Sequence, residues 1–166
     1  NTEVTPALLD EFKALDPHAV VLACGGQPIV SRNIPGIEKG IASFDILTGK
    51  VKMSGKKVAV IGGGMTGLET AEKLADDGNE VIIVEMKPLL GDGIFVYNVN
   101  MTKKFLEERG AQFKTCTALK EVKDGSIVIE PYHGKFISAG LQGMRNISGY
   151  IDLKTTEDDG PSEIAV

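Results

Sequence analysis

The segment Lys57-Val-Ala-Val-Ile-Gly-Gly-Gly-Met-Thr-Gly-Leu-Glu-Thr-Ala71, followed by Val81-Ile-Ile-Val-Glu85, restricts the possible folds of this chain more than any other. It is written strand, glycine turn, helix, strand, acid. Lys57–Ile61 carries the β-branched and small residues of a strand buried on both faces of a parallel sheet. Gly62 permits a tight turn out of that strand. Gly64 leaves the backbone open to close approach, and Gly67 lets the following helix pack against the strand. Leu68, Ala71, Leu74 and Ala75 recur at helical spacing over Met65–Asp77, and Gly78 with Asn79 makes a stop. The start of such a helix offers free N–H groups and a partial positive charge, which suit a diphosphate. Glu85 follows Gly67 by 18 residues, near the ~20 at which a carboxylate meets ribose hydroxyls. A carboxylate there repels a 2′-phosphate, so Glu85 favours NADH over NADPH, while Lys87 would soften the preference. A glycine motif alone is weak evidence, but strands on both sides and an acid at this distance make it strong. The competing readings are that the glycines only punctuate turns and Glu85 is a surface acid, or that a different nucleotide binds.

The 166 residues suffice for one domain with a core. Net charge is −5, and no basic stripe interleaves with aromatics, which argues against nucleic acid. No apolar run approaches the ~20 residues that would span a membrane. There is no signal peptide, and the first residue is not Met, so the chain reads as a processed or excised piece. Cys24 and Cys116 lack any CxxC or metal-ligand spacing and are expected as reduced core thiols of a cytoplasmic protein. His18 and His133 stand alone and are expected in turns or at the surface, so no metal site is assigned. The acids in Glu157-Asp-Asp-Gly-Pro-Ser-Glu163 are expected in a solvated loop.

Along the chain, Thr5-Pro6 starts a short helix to about Lys13. Ala19–Cys24 is expected as a buried strand ending at Gly25-Gly26. An extended connector with two prolines follows to Gly36, and Ala42–Thr48 holds one or two helical turns. Beyond Glu85, Pro88–Gly93 is a loop, Asn98–Arg109 a helix, and Gln112–Thr115 a third parallel strand. Thr117–Val122 and Ser126–Glu130 form a hairpin about Lys123-Asp-Gly125. One more strand is expected near Tyr150–Lys154, with loop elsewhere in 131–166. The predicted fold is α/β, a Rossmann-like doubly wound parallel sheet with a small antiparallel β excursion. The last parallel strand of such a sheet is missing from the pattern. Ala19–Gly25 is therefore expected beside Val58–Ile61, within one chain or swapped between two copies in a homodimer.

Val20-Val-Leu-Ala-Cys-Gly-Gly-Gln-Pro28, then Ile34-Pro-Gly36, then Gly62–Gly67, resembles two-dinucleotide flavoproteins of the pyridine-nucleotide disulfide oxidoreductase superfamily, with Cys24 where Thr is usual. Gly62-Gly-Gly-Met-Thr-Gly-Leu-Glu-Thr-Ala71 and Lys123-Asp-Gly-Ser-Ile-Val-Ile-Glu-Pro131 are similar to the C-terminal region of 2-enoate reductases, dienoyl-CoA reductases and trimethylamine dehydrogenases. The resemblance implies a parent enzyme of several domains. An FMN barrel would reduce an activated C=C bond, a 4Fe-4S cluster would relay electrons, and FAD and NAD(P)H domains would admit them. Residues 1–54 would be the tail of the FAD domain and its crossing linker, and 55–166 the NAD(P)H domain lacking its last strand. Gly62, Gly63, Gly64, Met65, Thr66 and Gly67 would cradle the NADH pyrophosphate, and Glu85 would hold the ribose. Glu69 would face the nicotinamide or flavin, or be an ordinary surface acid. Gly25 and Gly26 would lie against FAD in the parent. Hydride transfer draws its chemistry from the cofactors, so no catalytic residue is assigned, and the isolated piece is expected to be inactive. The expected partners are the nicotinamide dinucleotide and the rest of the parent polypeptide. The alternatives are a structural module that holds ADP without catalysis, or a piece of a disulfide reductase-type flavoprotein.

Overall fold

The computed structural model describes residues 6–21, 23, 26, 28, 30–132 and 161–166. Helix α1 spans Pro6–Ala14, as expected, and the short α2 spans Ser43–Leu47. Then follow β1 (Lys57–Ile61), α3 (Met65–Asp76), β2 (Glu80–Val84), α4 (Val96–Glu108) and β3 (Gln112–Lys114). Strands β1, β2 and β3 pair in parallel in that order, with Val58 opposite Val81 and Ile83 opposite Phe113. A second sheet, antiparallel, orders β4 (Thr117–Lys123), β5 (Ser126–Pro131) and β6 (Ser162–Ala165).

Strand alternation divides the core into two layers. Val81 and Ile83 point to the helices and join Val60, Leu68, Ala71, Leu74 and Leu106. Ile82 and Val84 point the other way and meet Leu119, Ile127 and Ile129 of the antiparallel sheet. The central strand β2 is therefore apolar at successive positions because both its faces are covered.

Helix α3 closes with a Schellman pattern. Asn79 N–H donates to Leu74 O at 3.1 Å, and Gly78 N–H to Ala75 O at 3.1 Å. Asn79 is 6% exposed. Its amide donates to Met53 O and Leu74 O at 2.9 Å each, and its carbonyl accepts from Lys56 N at 3.1 Å. One buried amide thus ties the end of α3 to the chain entering β1, which sets the glycine turn at the other end of both elements.

The structure corrects several expectations. Ala19, Val20, Val21 and Ala23 form no strand and are exposed, Val21 by 86%. Among the described residues nothing pairs with β1 opposite β2. The strand expected at Ala19–Cys24, and its placement beside Val58–Ile61 within one chain, therefore fail for those residues; 22, 24 and 25 lie outside the described ones. The reason is that an apolar run becomes a strand only where a neighbour supplies its hydrogen bonds. As an edge strand, β1 fully buries only Val60 rather than both faces. Where loop was expected at the C-terminal end, Ser162–Ala165 is instead β6, paired Ile127↔Ile164 and Val128↔Glu163, while 133–160 lie outside the described residues. Cys116 is not a core thiol. It is half-buried in the turn between β3 and β4, with φ 49°. The connector is also more than an extended crossing. Val122 N–H donates to Pro35 O at 2.9 Å, Ile34 and Ile37 pack under the antiparallel sheet, and Lys39 Nζ lies 2.7 Å from Asp124 Oδ1. His18 is exposed, as expected, while His133, Cys24, Thr5 and the strand near Tyr150–Lys154 lie outside the described residues.

Glu163 is the clip of β6. Its Oε2 accepts from Lys123 Nζ and its Oε1 from Ser126 Oγ, both at 2.6 Å. The Lys123 hydrogen bond first, and then that of Ser126, hold the Glu163 carboxyl below its ordinary 4.5. A folded-state value below the unfolded one adds stability that is complete above the unfolded value and lost as pH falls through the folded one. The thermal midpoint should therefore carry an acid-limb loss that is absent in Glu163→Gln. Identical acid limbs in the two proteins would show that the clip contributes nothing.

Candidate dinucleotide site

The turn from β1 into α3 is built on backbone geometry. Gly62 has φ 100°, a region side chains avoid, and its N–H donates to Val84 O at 2.8 Å. A Cβ on Gly67 would stand 1.9 Å from Gly62 O and 3.8 Å from Val60 Cγ1. That is the close helix–strand approach expected of the third glycine. A Cβ on Gly64, in contrast, would meet nothing within 4 Å. The protein itself does not need glycine at 64; the space in front of it lies open at the start of α3. Met65 and Thr66 are exposed on the first turn of that helix.

Glu85 stands across from the turn. Its backbone is fixed between the two sheets, its N–H donating to Lys114 O at 2.8 Å and its O accepting from Thr117 N at 2.9 Å. Its carboxylate accepts from the N–H of Gly63 at Oε2 and from the N–H of Lys87 at Oε1, 2.7 Å away. The acid expected for the ribose and the glycines expected for the pyrophosphate are therefore brought together at the carboxyl ends of β1 and β2. This is where ligands bind in open parallel sheets. Each carboxylate oxygen keeps a further lone pair to accept from a hydroxyl.

The loop after Glu85, read from sequence only as a loop, closes over the turn. Gly91 N–H donates to Gly63 O at 2.7 Å, and Leu90 packs where a Cβ on Gly63 would stand, 2.4 Å from Leu90 Cδ2. Lys87 Nζ pairs with Asp92 Oδ2 at 2.7 Å. Sequence reasoning missed this closure; the only signal available was the Gly91-Asp92-Gly93 triplet. The hydrogen bond to Asp92 raises the Lys87 ammonium above its ordinary value, with the nearby Asp92 and Glu85 charges adding to it against partial burial.

The other expected site residues lie elsewhere. Glu69 is exposed on α3 and lines a groove with Glu72, Lys73, Asp76 and Phe105, on the flank toward α4. Gly26 is exposed with open space about it, and Gly25 lies outside the described residues. Among the described residues no three His, Cys, Asp or Glu side chains converge as metal ligands. None of their helices is long and apolar enough to cross a membrane.

A parallel β–α–β unit with this glycine turn and an acid at the end of its second strand defines a dinucleotide-binding domain. Residues 4–139 match the model of the pyridine nucleotide-disulphide oxidoreductase family, and the chain belongs to that family. Over 82 residues it is 46% identical to an NADH oxidase of Thermoanaerobacter brockii, covering 46% of this chain and 12% of that protein. Over 78 residues it is 40% identical to a cinnamate reductase of Clostridium sporogenes, covering 47% and 11%. Among solved structures, 2-naphthoyl-CoA reductase in complex with 2-naphthoyl-CoA superposes with a TM-score of 0.64 at 30% identity, over 78% of this chain and 20% of that one. The chain thus spans a small part of each relative. These similarities bear out the sequence resemblance to the FAD/NADH region of enoate and dienoyl-CoA reductases.

Proposed function

We propose that this chain is the NADH-binding portion of a multidomain flavin oxidoreductase that passes electrons from NADH to FAD and on to an activated C=C bond. The observation that carries the reading is the meeting of the Gly62–Gly67 turn with the Glu85 carboxylate, in front of an open Gly64. The residues present fit a dinucleotide. Gly64 leaves the cradle free, the start of α3 offers N–H groups to the pyrophosphate, and Glu85 accepts from the ribose. Bound NADH would supply the hydride and FAD would take it. The chain's own residues bind and orient the dinucleotide.

The NADH oxidase relative supports the nicotinamide, the family supports the flavin, and the cinnamate and 2-naphthoyl-CoA reductases support the unsaturated acceptor. On this reading residues 1–54 are the tail of the FAD domain, and 55–166 the NAD(P)H domain. The parent is cytoplasmic, and FMN and a 4Fe-4S cluster sit in parts of it beyond this chain.

Calorimetric titration tests the reading. NADH should bind more tightly than NADPH, and more tightly than ADP. Tighter NADPH would overturn the role of Glu85, and ADP binding as tight as NADH would favour a structural nucleotide module. Gly64→Ala adds a sharper expectation. The methyl meets no protein atom within 4 Å, so the thermal midpoint should stay within about 2 °C of the wild type. NADH affinity should nevertheless fall by about tenfold, as the methyl takes the space of the pyrophosphate. Unchanged affinity in a folded Gly64→Ala protein would remove the cradle from the argument.

A further inference from the structure

We propose that Asp92 enforces the preference for NADH over NADPH by holding Lys87 away from the ribose position. Asp92 is a positioning residue that acts through that lysine. The proposal rests on the reading of Gly62–Gly67 and Glu85 as the dinucleotide site.

A lysine two residues beyond the ribose acid would ordinarily weaken discrimination. An ammonium there can reach a 2′-phosphate and offset its repulsion by the carboxylate. In this chain Lys87 is anchored beside Glu85 through its own backbone N–H, 2.7 Å from Glu85 Oε1. Its side chain, however, is committed elsewhere. Nζ lies 2.7 Å from Asp92 Oδ2, and the Asp92 side chain is only 15% exposed against 43% for Lys87.

The asymmetry of burial matters. An exposed ion pair is loosely held, but here one partner is mostly buried, and drawing Lys87 off would break a charge-assisted hydrogen bond of 2.7 Å to it. Asp92 cannot readily follow the lysine outward. Its neighbour Gly91 is bonded to Gly63 O at 2.7 Å, and Gly91 itself packs against Val99, which lies 2.3 Å from where a Cβ would stand. The loop that closes the glycine turn therefore also fixes the acceptor that retains the lysine. Among the described residues the charged groups facing Lys87 are Asp92 and Glu85, both carboxylates, and both favour its charged, paired state. A 2′-phosphate arriving at Glu85 would meet a carboxylate whose neighbouring cation Lys87 is already engaged.

The test is equilibrium titration of the chain with NADH and with NADPH, comparing wild type, Asp92→Asn, Lys87→Ala and the double variant, with folding checked by circular dichroism. Asp92→Asn should tighten NADPH binding by about tenfold and leave NADH within about twofold. The gain should shrink at high salt and disappear in the double variant. The double variant, which removes both charges of the pair together, should bind NADPH within about twofold of the wild type, because the lysine it removes is already occupied. The proposal is overturned if Asp92→Asn leaves NADPH unchanged or weakens both dinucleotides together. It is equally overturned if the double variant binds NADPH selectively more weakly than the wild type, a result that decides the matter even should Asp92→Asn alone fail to fold. A wild-type chain that binds neither dinucleotide defeats the underlying reading instead, and the proposal with it.

Discussion

Gly67→Ala should cost the fold about 3 kcal/mol or more and lower the thermal midpoint by roughly 10 °C. The added methyl would sit 1.9 Å from Gly62 O, a backbone atom with no freedom to swing aside. The only relief is for α3 to lift off β1. That would separate Leu68 and Ala71, which are 4% and 0% exposed, from Val60 and open a gap through the centre of the helical layer. The lift would also drag the start of α3 away from Gly62 and Gly63, so dinucleotide binding should fail together with stability. Set beside the silent methyl at Gly64, one substitution placed three residues apart separates the glycine that shapes the protein from the glycine that leaves room for a ligand. Equal stability of the two variants by thermal denaturation would contradict the observed packing.

Glu85→Ala should lose NADH affinity by about tenfold to a hundredfold, and the protein should lose stability as well. The stability loss arises because the carboxylate is a structural acceptor before any ligand arrives. Its removal leaves the N–H of buried Gly63 and that of Lys87 without their partner. A stranded buried donor costs about 1–3 kcal/mol. Titration and thermal melting of the same sample read the two effects separately. A destabilised variant that still binds NADH like the wild type would reduce Glu85 to a loop clamp and would falsify its assignment to the ribose.

The parts of this molecule legible in the sequence are those whose signal is local. Lys57–Ile61, Met65–Asp76 and Glu80–Val84 announce themselves through two distinct periodicities separated by glycines. The hairpin is announced by Asp124-Gly125 between two alternating runs, and observed pairing runs from Lys123↔Ser126 to Thr117↔Pro131. What was not legible depends on partners distant in the chain. Val20 and Val21 have the composition of a strand yet stand exposed, because none of the described strands lies beside them. Ser162–Ala165 has almost no strand signal of its own. It is recruited by Ile127↔Ile164 and by the Glu163 clip to Lys123 and Ser126. The same division runs through the site. The glycines and Glu85 follow from spacing, whereas the return of Leu90 and Gly91 onto Gly63, and the capture of Lys87 by Asp92, arise from how a loop folds over its neighbours.

The anchored connector has a mechanical meaning. Pro35 O is bonded to Val122 N, a Cβ on Gly36 would stand 2.0 Å from Val122 O, and Lys39 is paired with Asp124. The stretch from Ile34 to Lys39 is therefore riveted to the hairpin and travels with it as one rigid lever. Between Ala14 and Ile34 the described residues include neither helix nor strand. A pull on the chain from upstream of Ile34 would therefore be delivered to the antiparallel sheet, through Val122 and Asp124, rather than to the glycine turn.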